Sequence, residues 1–116
     1  MIGRITRQEL RAKLERREGV TLAEALPPRY FLDKHLPGAL NLPHDQVDAL
    51  APGLLPDKQA DIVVYCANTA CRNSHIAAAR LEKLGYARVA VYHEGKQDWI
   101  DAGLAIETGA AAVQAA

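Results

Sequence analysis

The stretch DIVVYCANTACRNSH, residues 61–75, decides how the chain is read. Its first half, Asp61 to Cys66, is an almost continuous apolar run with three β-branched residues and a tyrosine, the pattern of a strand buried on both faces of a parallel sheet. Its second half leads into SHIAAARLEKLGY, where Ala77, Leu81 and Leu84 share one helical face, Arg80, Glu82 and Lys83 lie elsewhere, and Gly85 ends the run. A helix over Ser74 to Leu84, capped by Ser74, is expected. Strand, short loop and helix in this order form the unit from which open α/β sheets build ligand crevices. The strand's C-terminal end faces the cleft, and the next helix offers unpaired N–H groups to an anion.

The flanks agree with that unit. Upstream, Thr6 and Glu9 form a capping box for a helix from Arg7 to Arg17, with Leu10 and Leu14 on one face and Gly19 in the left-handed position past its end. Val20 to Ala25 reads as a short strand. Pro27, Pro28, Pro37 and Pro43 argue for extended loops from Leu26 to Pro43, with one short strand at Ala39 to Asn41. Val47, Leu50 and Leu54 are spaced for a short helix that Pro52 and Gly53 break. Downstream, Val89 to Tyr92 is a strand and Lys96 to Ala102 a short helix with Trp99 and Ile100 inward and Gly103 at its end. The expected fold is an α/β domain with a mainly parallel sheet of about five strands and helices on both faces. It covers residues 1–107, and residues 108–116 form an Ala-rich C-terminal tail to which no function is assigned.

Composition narrows the function. The chain has 116 residues, 49% of them hydrophobic and 24% charged, which suits one globular domain. Fourteen Lys and Arg balance fourteen Asp and Glu, so the basic surface that nucleic-acid binding requires is not expected. No apolar run approaches the roughly 20 residues of a membrane span, and MIGRITRQEL lacks a secretory core, so a soluble, cytoplasmic protein is expected. The two cysteines, Cys66 and Cys71, are too few and too close for a disulfide framework. They also lack a second cluster at zinc spacing, even with His75 as a third ligand, so neither metal nor cofactor is expected.

The chemistry therefore concentrates on the loop. Cys66 sits at a strand tip before a helix N-terminus, whose dipole is expected to favour the thiolate and lower the thiol pKa. The loop residues Ala67, Asn68, Thr69, Ala70, Cys71, Arg72, Asn73 and Ser74 would supply N–H groups for an anion, and Arg72 a planar cationic fork. The bland alternative is a small buried cysteine at a strand end, with Cys71 incidental. Elsewhere, His35 is expected to hydrogen-bond a turn, Trp99 to anchor packing, and Asp98 and Asp101 to be solvated helix charges. His75 stands where it would tune the thiolate or point to solvent, and His93 and Glu94 follow a strand tip that opens on the same crevice.

Taken together, ITRQEL at the start, HLPGALNLP at 35–43, IVVYC at 62–66, the helix SHIAAARLEKLGY and VAVYHEGKQDWIDAGLAIE resemble a single-domain rhodanese-like protein over Ile5 to about Glu107. The resemblance implies sulfur transfer. Cys66, at the position of the family's active cysteine, would take a sulfane sulfur from a small anionic donor such as thiosulfate. It would then pass that sulfur to cyanide, a thiol or a protein acceptor. Three departures stand out. Aligning Ser74 with the start of the family helix makes the active loop two residues longer than the usual six. The family's Asp-x-Arg appears as Glu24-Ala25-Leu26, with Arg29 as the nearby substitute. Cys71 is additional, and its sulfur reaches that of Cys66 only if their Cα atoms lie within about 7 Å.

Three functions follow. In the first, Cys66 carries a persulfide, Arg72 clamps the anion, and Cys71 is an accessory thiol that discharges the persulfide. In the second, Cys66 and Cys71 close reversibly in a non-enzymatic redox or sulfane-sulfur sensor. In the third, Cys66 and Arg72 form the C-x5-R spacing of cysteine phosphatases and arsenate reductases. Against that last reading, Tyr65 replaces the usual histidine, the loop has no glycine or carboxylate, and the alignment ends the loop at Asn73.

Overall fold

A computed structural model describes residues 2–110. In chain order the elements are β1 (Gly3–Arg4), α1 (Arg7–Glu15), β2 (Thr21–Glu24), α2 (Pro28–Asp33), β3 (Leu40–Asn41), α3 (Val47–Leu54), β4 (Asp61–Tyr65), α4 (Asn73–Lys83), β5 (Arg88–Tyr92) and α5 (Gly95–Asp101). The strands form one parallel sheet in the order β1-β5-β4-β2-β3.

The central strand is β4, and its side chains alternate between two cores. Ile62 and Val64 pack with Val47 and Ala51 of α3 and with Ala77, Ala78 and Leu81 of α4. Val63 and Tyr65 pack on the other face with Leu10 of α1, Phe31 of α2 and Trp99 of α5. An apolar run with no polar alternation is what a strand covered on both faces requires.

The register places the functional end. Glu24 of β2 pairs with Tyr65 of β4, and Tyr65 with Tyr92 of β5, so Cys66 leaves the sheet flanked by the tips of β2 and β5. The Tyr65 hydroxyl, fully buried, accepts the Leu36 N–H at 3.0 Å. It thereby ties the strand to the HLPGALNLP segment.

Several local expectations are corrected. The proline-rich stretch contains α2, because Pro28 stands at the start of the helix, where a missing N–H costs nothing. Pro52 lies inside α3, which continues to Leu54 rather than breaking. The first helix stops at Glu15, and Arg17, with φ 54°, takes the C′ position expected of Gly19, which is itself left-handed two residues further on with φ 78°. The Arg17 N–H donates to Leu14 O and the Glu18 N–H to Lys13 O, the paired bonds of a Schellman ending. Gly85 ends α4 as expected, with φ 97° and the Tyr86 N–H on Leu81 O. Beyond α5, His35 and Glu107 form an antiparallel bridge and the Gly109 N–H reaches Leu32 O at 2.8 Å. Most of the Ala-rich tail, residues 111–116, lies outside the described residues.

Candidate functional site: the Cys66 loop

Cys66 follows β4 directly and is 1% exposed. Its thiol donates to the Cys71 backbone carbonyl at 3.3 Å, and the Ser74 hydroxyl lies 3.5 Å from the same sulfur. Both cysteines are free, and Cys71 is half-buried. The loop between them folds on Asn68, whose side-chain oxygen accepts the Ala70 N–H at 3.0 Å while its carbonyl accepts the Cys71 N–H at 3.1 Å. An Asx turn of this kind gives a glycine-free loop its bend. Two N–H groups expected to serve an anion, those of Ala70 and Cys71, are thus engaged within the loop itself.

The helix begins one residue earlier than expected. Arg72 occupies the N-cap of α4 with no side-chain cap bond, and Ser74 lies inside the first turn, buried. The expected Ser74 cap is therefore corrected. The Ser74 hydroxyl is committed to the Cys66 sulfur, and its backbone N–H also favours the thiolate. Because Arg72 ends the loop, one objection to a C-x5-R reading falls. Arg72 itself is exposed and makes no ion pair among the described residues, and Ala67, Asn68, Thr69, Ala70 and Asn73 line the rest of the exposed or half-exposed loop.

The expected lowering of the Cys66 pKa is also corrected. Burial pushes the thiol up, the neighbouring Cys71 adds to the rise, and the hydroxyl and N–H of Ser74 only partly oppose it. Desolvation outweighs the helix end.

The sequence had not assigned a role to the floor of the loop. The Lys96 N–H donates to Cys66 O and the Gln97 N–H to Ala67 O, each at 2.8 Å, so the first turn of α5 holds two successive loop carbonyls. Gly95 permits the approach: its φ is +72°, and a Cβ there would stand 2.6 Å from Cys66 O. A glycine opening a short helix just past a strand tip was the available signal. Lys96 extends its ammonium to Glu24 Oε1 at 3.1 Å, Tyr30 O at 3.1 Å and Lys34 O at 2.6 Å. Glu24 is fully buried, its Oε2 has no hydrogen-bond partner among the described residues, and burial raises its pKa against the pull of Lys96.

The remaining candidates sort by geometry. His75 Nε2 and His93 Nδ1 are 2.9 Å apart, and burial, then His93, Arg4 and Arg72, lowers the His75 pKa. His35 is stacked on Phe31 at 3.9 Å with Nδ1 2.8 Å from Phe31 O, in keeping with a structural role. Trp99 is a packing anchor whose indole N–H reaches Ala105 O at 2.8 Å. Asp98 is corrected from a solvated charge: it accepts from Tyr92 at 2.6 Å and pairs with Arg7 at 2.7 Å. Asp101 accepts from Gln97 at 2.8 Å on the exposed face. Arg29 is exposed and lies over the Tyr30 ring, outside the Cys66 contacts. A groove of about 650 Å³ runs between α3 and α4, with no loop residue in its walls. Among the described residues no group of three or more His, Cys, Asp or Glu is arranged for a metal ion, and no helix is long and apolar enough to cross a membrane.

Comparison with known proteins agrees with this geometry. The model of the rhodanese-like domain family matches residues 6–102. An HTH-type transcriptional regulator of Mycobacterium tuberculosis is 34% identical over 108 residues, which is 91% of this chain and 45% of that protein. The chain thus spans less than half the length of that curated relative. Among solved structures, a thiosulfate sulfurtransferase of Pseudomonas aeruginosa superposes with a TM-score of 0.82 and 28% identity, over 93% of this chain and 20% of that one. A rhodanese from E. coli, solved with anions, gives 0.65 and 26% over 78% of this chain and 99% of its own.

Proposed function

Because the chain belongs to the rhodanese-like domain family, we propose that it is a sulfurtransferase that carries sulfane sulfur as a persulfide on Cys66. The observation that supports this most is the seat of Cys66. A buried thiol at the tip of β4 is contacted by Ser74 at the head of α4, in a chain whose structural neighbours include a thiosulfate sulfurtransferase.

The reaction balances with this chain's own groups. Cys66 loses its proton to solvent, and its thiolate attacks the outer sulfur of thiosulfate. The S–S bond of the donor breaks and sulfite leaves with its electron pair. The negative persulfide then sits where the Ser74 hydroxyl and N–H donate and the cationic Arg72 follows at the head of α4, and these groups offset the burial that disfavours a negative charge on Cys66. Cyanide or a thiol, including a protein thiol, removes the outer sulfur and restores Cys66.

Cys71 supplies a second exit. Its thiolate attacks the inner sulfur of the persulfide, forming a Cys66–Cys71 disulfide and releasing hydrosulfide, and a thiol reductant of the cytoplasm then resets the pair. Cys71 is near enough for its side chain to raise the Cys66 pKa, and its backbone carbonyl accepts the Cys66 thiol, a proximity on which this route relies. It equally supports a second reading, in which the pair senses sulfane sulfur stoichiometrically.

Intact mass of the reduced protein after thiosulfate, then cyanide, tests the proposal. One added sulfur on Cys66, removed by cyanide with thiocyanate accumulating over many cycles, is the expected result, and Cys66→Ser abolishes it. Sulfur bridging Cys66 and Cys71, or loss of two hydrogens without turnover, would establish the sensor instead. An unchanged mass overturns both and directs the search to phosphate-ester and arsenate substrates.

A further inference from the structure

The loop carbonyls point to a residue outside the loop. In a trans peptide the C=O and N–H point in opposite directions. With Cys66 O and Ala67 O both held by α5, the N–H groups of Ala67 and Asn68, which share those peptides, are turned away from α5. The direction of two candidate anion donors therefore depends on where the first turn of α5 sits.

One side chain ties that turn to two other elements. Lys96 donates its backbone N–H to Cys66 O, and the same residue sends its ammonium to Glu24 at the end of β2 and to the Tyr30 and Lys34 carbonyls at the end of α2. Both partners are shielded: Lys96 is 9% exposed and Glu24 0%. A charge pair this deep is a weak source of net stability, because desolvating both ions offsets their attraction. Here the ammonium also has three fixed acceptors on two elements, a geometry that defines position.

We propose that Lys96, seated by Glu24, is a positioning residue for the sulfur-transfer loop: it locks the first turn of α5 under Cys66 and Ala67 and so orients the loop's N–H groups. This rests on the sulfurtransferase reading only for what the loop does, not for how it is held. Removing Lys96 alone would strand the buried Glu24 carboxylate, so the decisive variant is Glu24→Gln with Lys96→Met, which removes both charges and leaves a neutral amide.

Two rates are followed in that variant, beside its thermal unfolding: iodoacetamide alkylation of Cys66, located by peptide mass mapping, and single-turnover sulfur loading from thiosulfate. With the loop released, the buried Cys66 thiol becomes accessible and its alkylation rises about fivefold or more. Loading falls about tenfold or more, because the donor is no longer held in line. A folded double variant whose alkylation rate stays within about twofold of wild type overturns the proposal. If alkylation rises but the wild type never accepts sulfur, the functional reading fails and the positioning role stands. Should the double variant not fold, hydrogen exchange on the wild-type protein decides. Slow exchange of the Lys96 and Gln97 amides is expected, and exchange at the rate of unstructured backbone overturns the assignment.

Discussion

Replacing Gly95 with alanine tests the contact between α5 and the loop at its tightest point. The residue has φ +72°, which costs an L side chain about 1–2 kcal/mol. The added Cβ would also stand 2.6 Å from Cys66 O and 3.0 Å from both Ala67 C and Asn68 N, all backbone atoms that cannot swing aside. Overpacking of this kind costs about 1–3 kcal/mol, so the total is about 3 kcal/mol. For 116 residues the unfolding entropy converts each kcal/mol into about 4 °C, so Tm falls by about 12 °C. Gly103 is the internal control. Its φ is +76°, but among the described residues nothing lies within 4 Å of its Cβ position, so Gly103→Ala carries the conformational cost alone, about 1–2 kcal/mol or about 4–8 °C. The gain from a stiffer unfolded chain is common to both and cancels in the comparison. Circular dichroism melts give the two shifts, and sulfur loading of the folded fraction gives the functional consequence. Relief of the clash must lift α5 from the loop and lengthen the 2.8 Å bonds to Cys66 O and Ala67 O, so loading falls in Gly95→Ala and not in Gly103→Ala. Equal melting shifts, or full loading in folded Gly95→Ala, would refute the reasoning.

Other outcomes follow from the same geometry. Cys71→Ser leaves sulfur loading at Cys66 intact but removes the hydrosulfide released without added acceptor, read by trapping sulfide. The Cys66 pKa is raised by burial and by Cys71, so the folded state holds the thiol proton more tightly than the unfolded chain does. That contribution to stability is complete below the ordinary thiol value and is lost as pH rises through the folded value. Denaturant midpoints should therefore fall more steeply on the alkaline side in wild type than in Cys66→Ala. Alkylation of Cys66 should likewise titrate above the free-thiol range. Tyr65→Phe strands the buried Leu36 N–H and costs about 1–3 kcal/mol, measured by urea unfolding.

How far the sequence reaches is visible at particular residues. Asp61 to Cys66 had to be a doubly covered strand because it offers no polar face, and SHIAAARLEKLG had to be a helix ending at Gly85 because its apolar spacing and glycine stop coincide. Both readings rest on interactions within a few residues. The helix α2 escaped because four prolines mask a six-residue segment in which Pro28 is harmless only as the first helical residue. That depends on where the chain enters the turn.

The site divides the same way. Local order put Cys66 at a strand tip before a helix, with Cys71 and Arg72 close by in the chain, and those placements need no knowledge of distant segments. The sign of the Cys66 pKa shift, the commitment of Ser74 to sulfur rather than to a cap, and the grip of Gly95, Lys96 and Glu24 on the loop were decided only by tertiary structure. Glu24 and Lys96 are 72 positions apart, and each alone reads as a surface charge. Burial and long-range hydrogen bonds depend on which strands become neighbours, and the crossovers β2-β4 and β4-β5 bring these groups together at one end of the sheet. Periodicity and capping specify elements, while desolvation acts on whatever the packed sheet encloses.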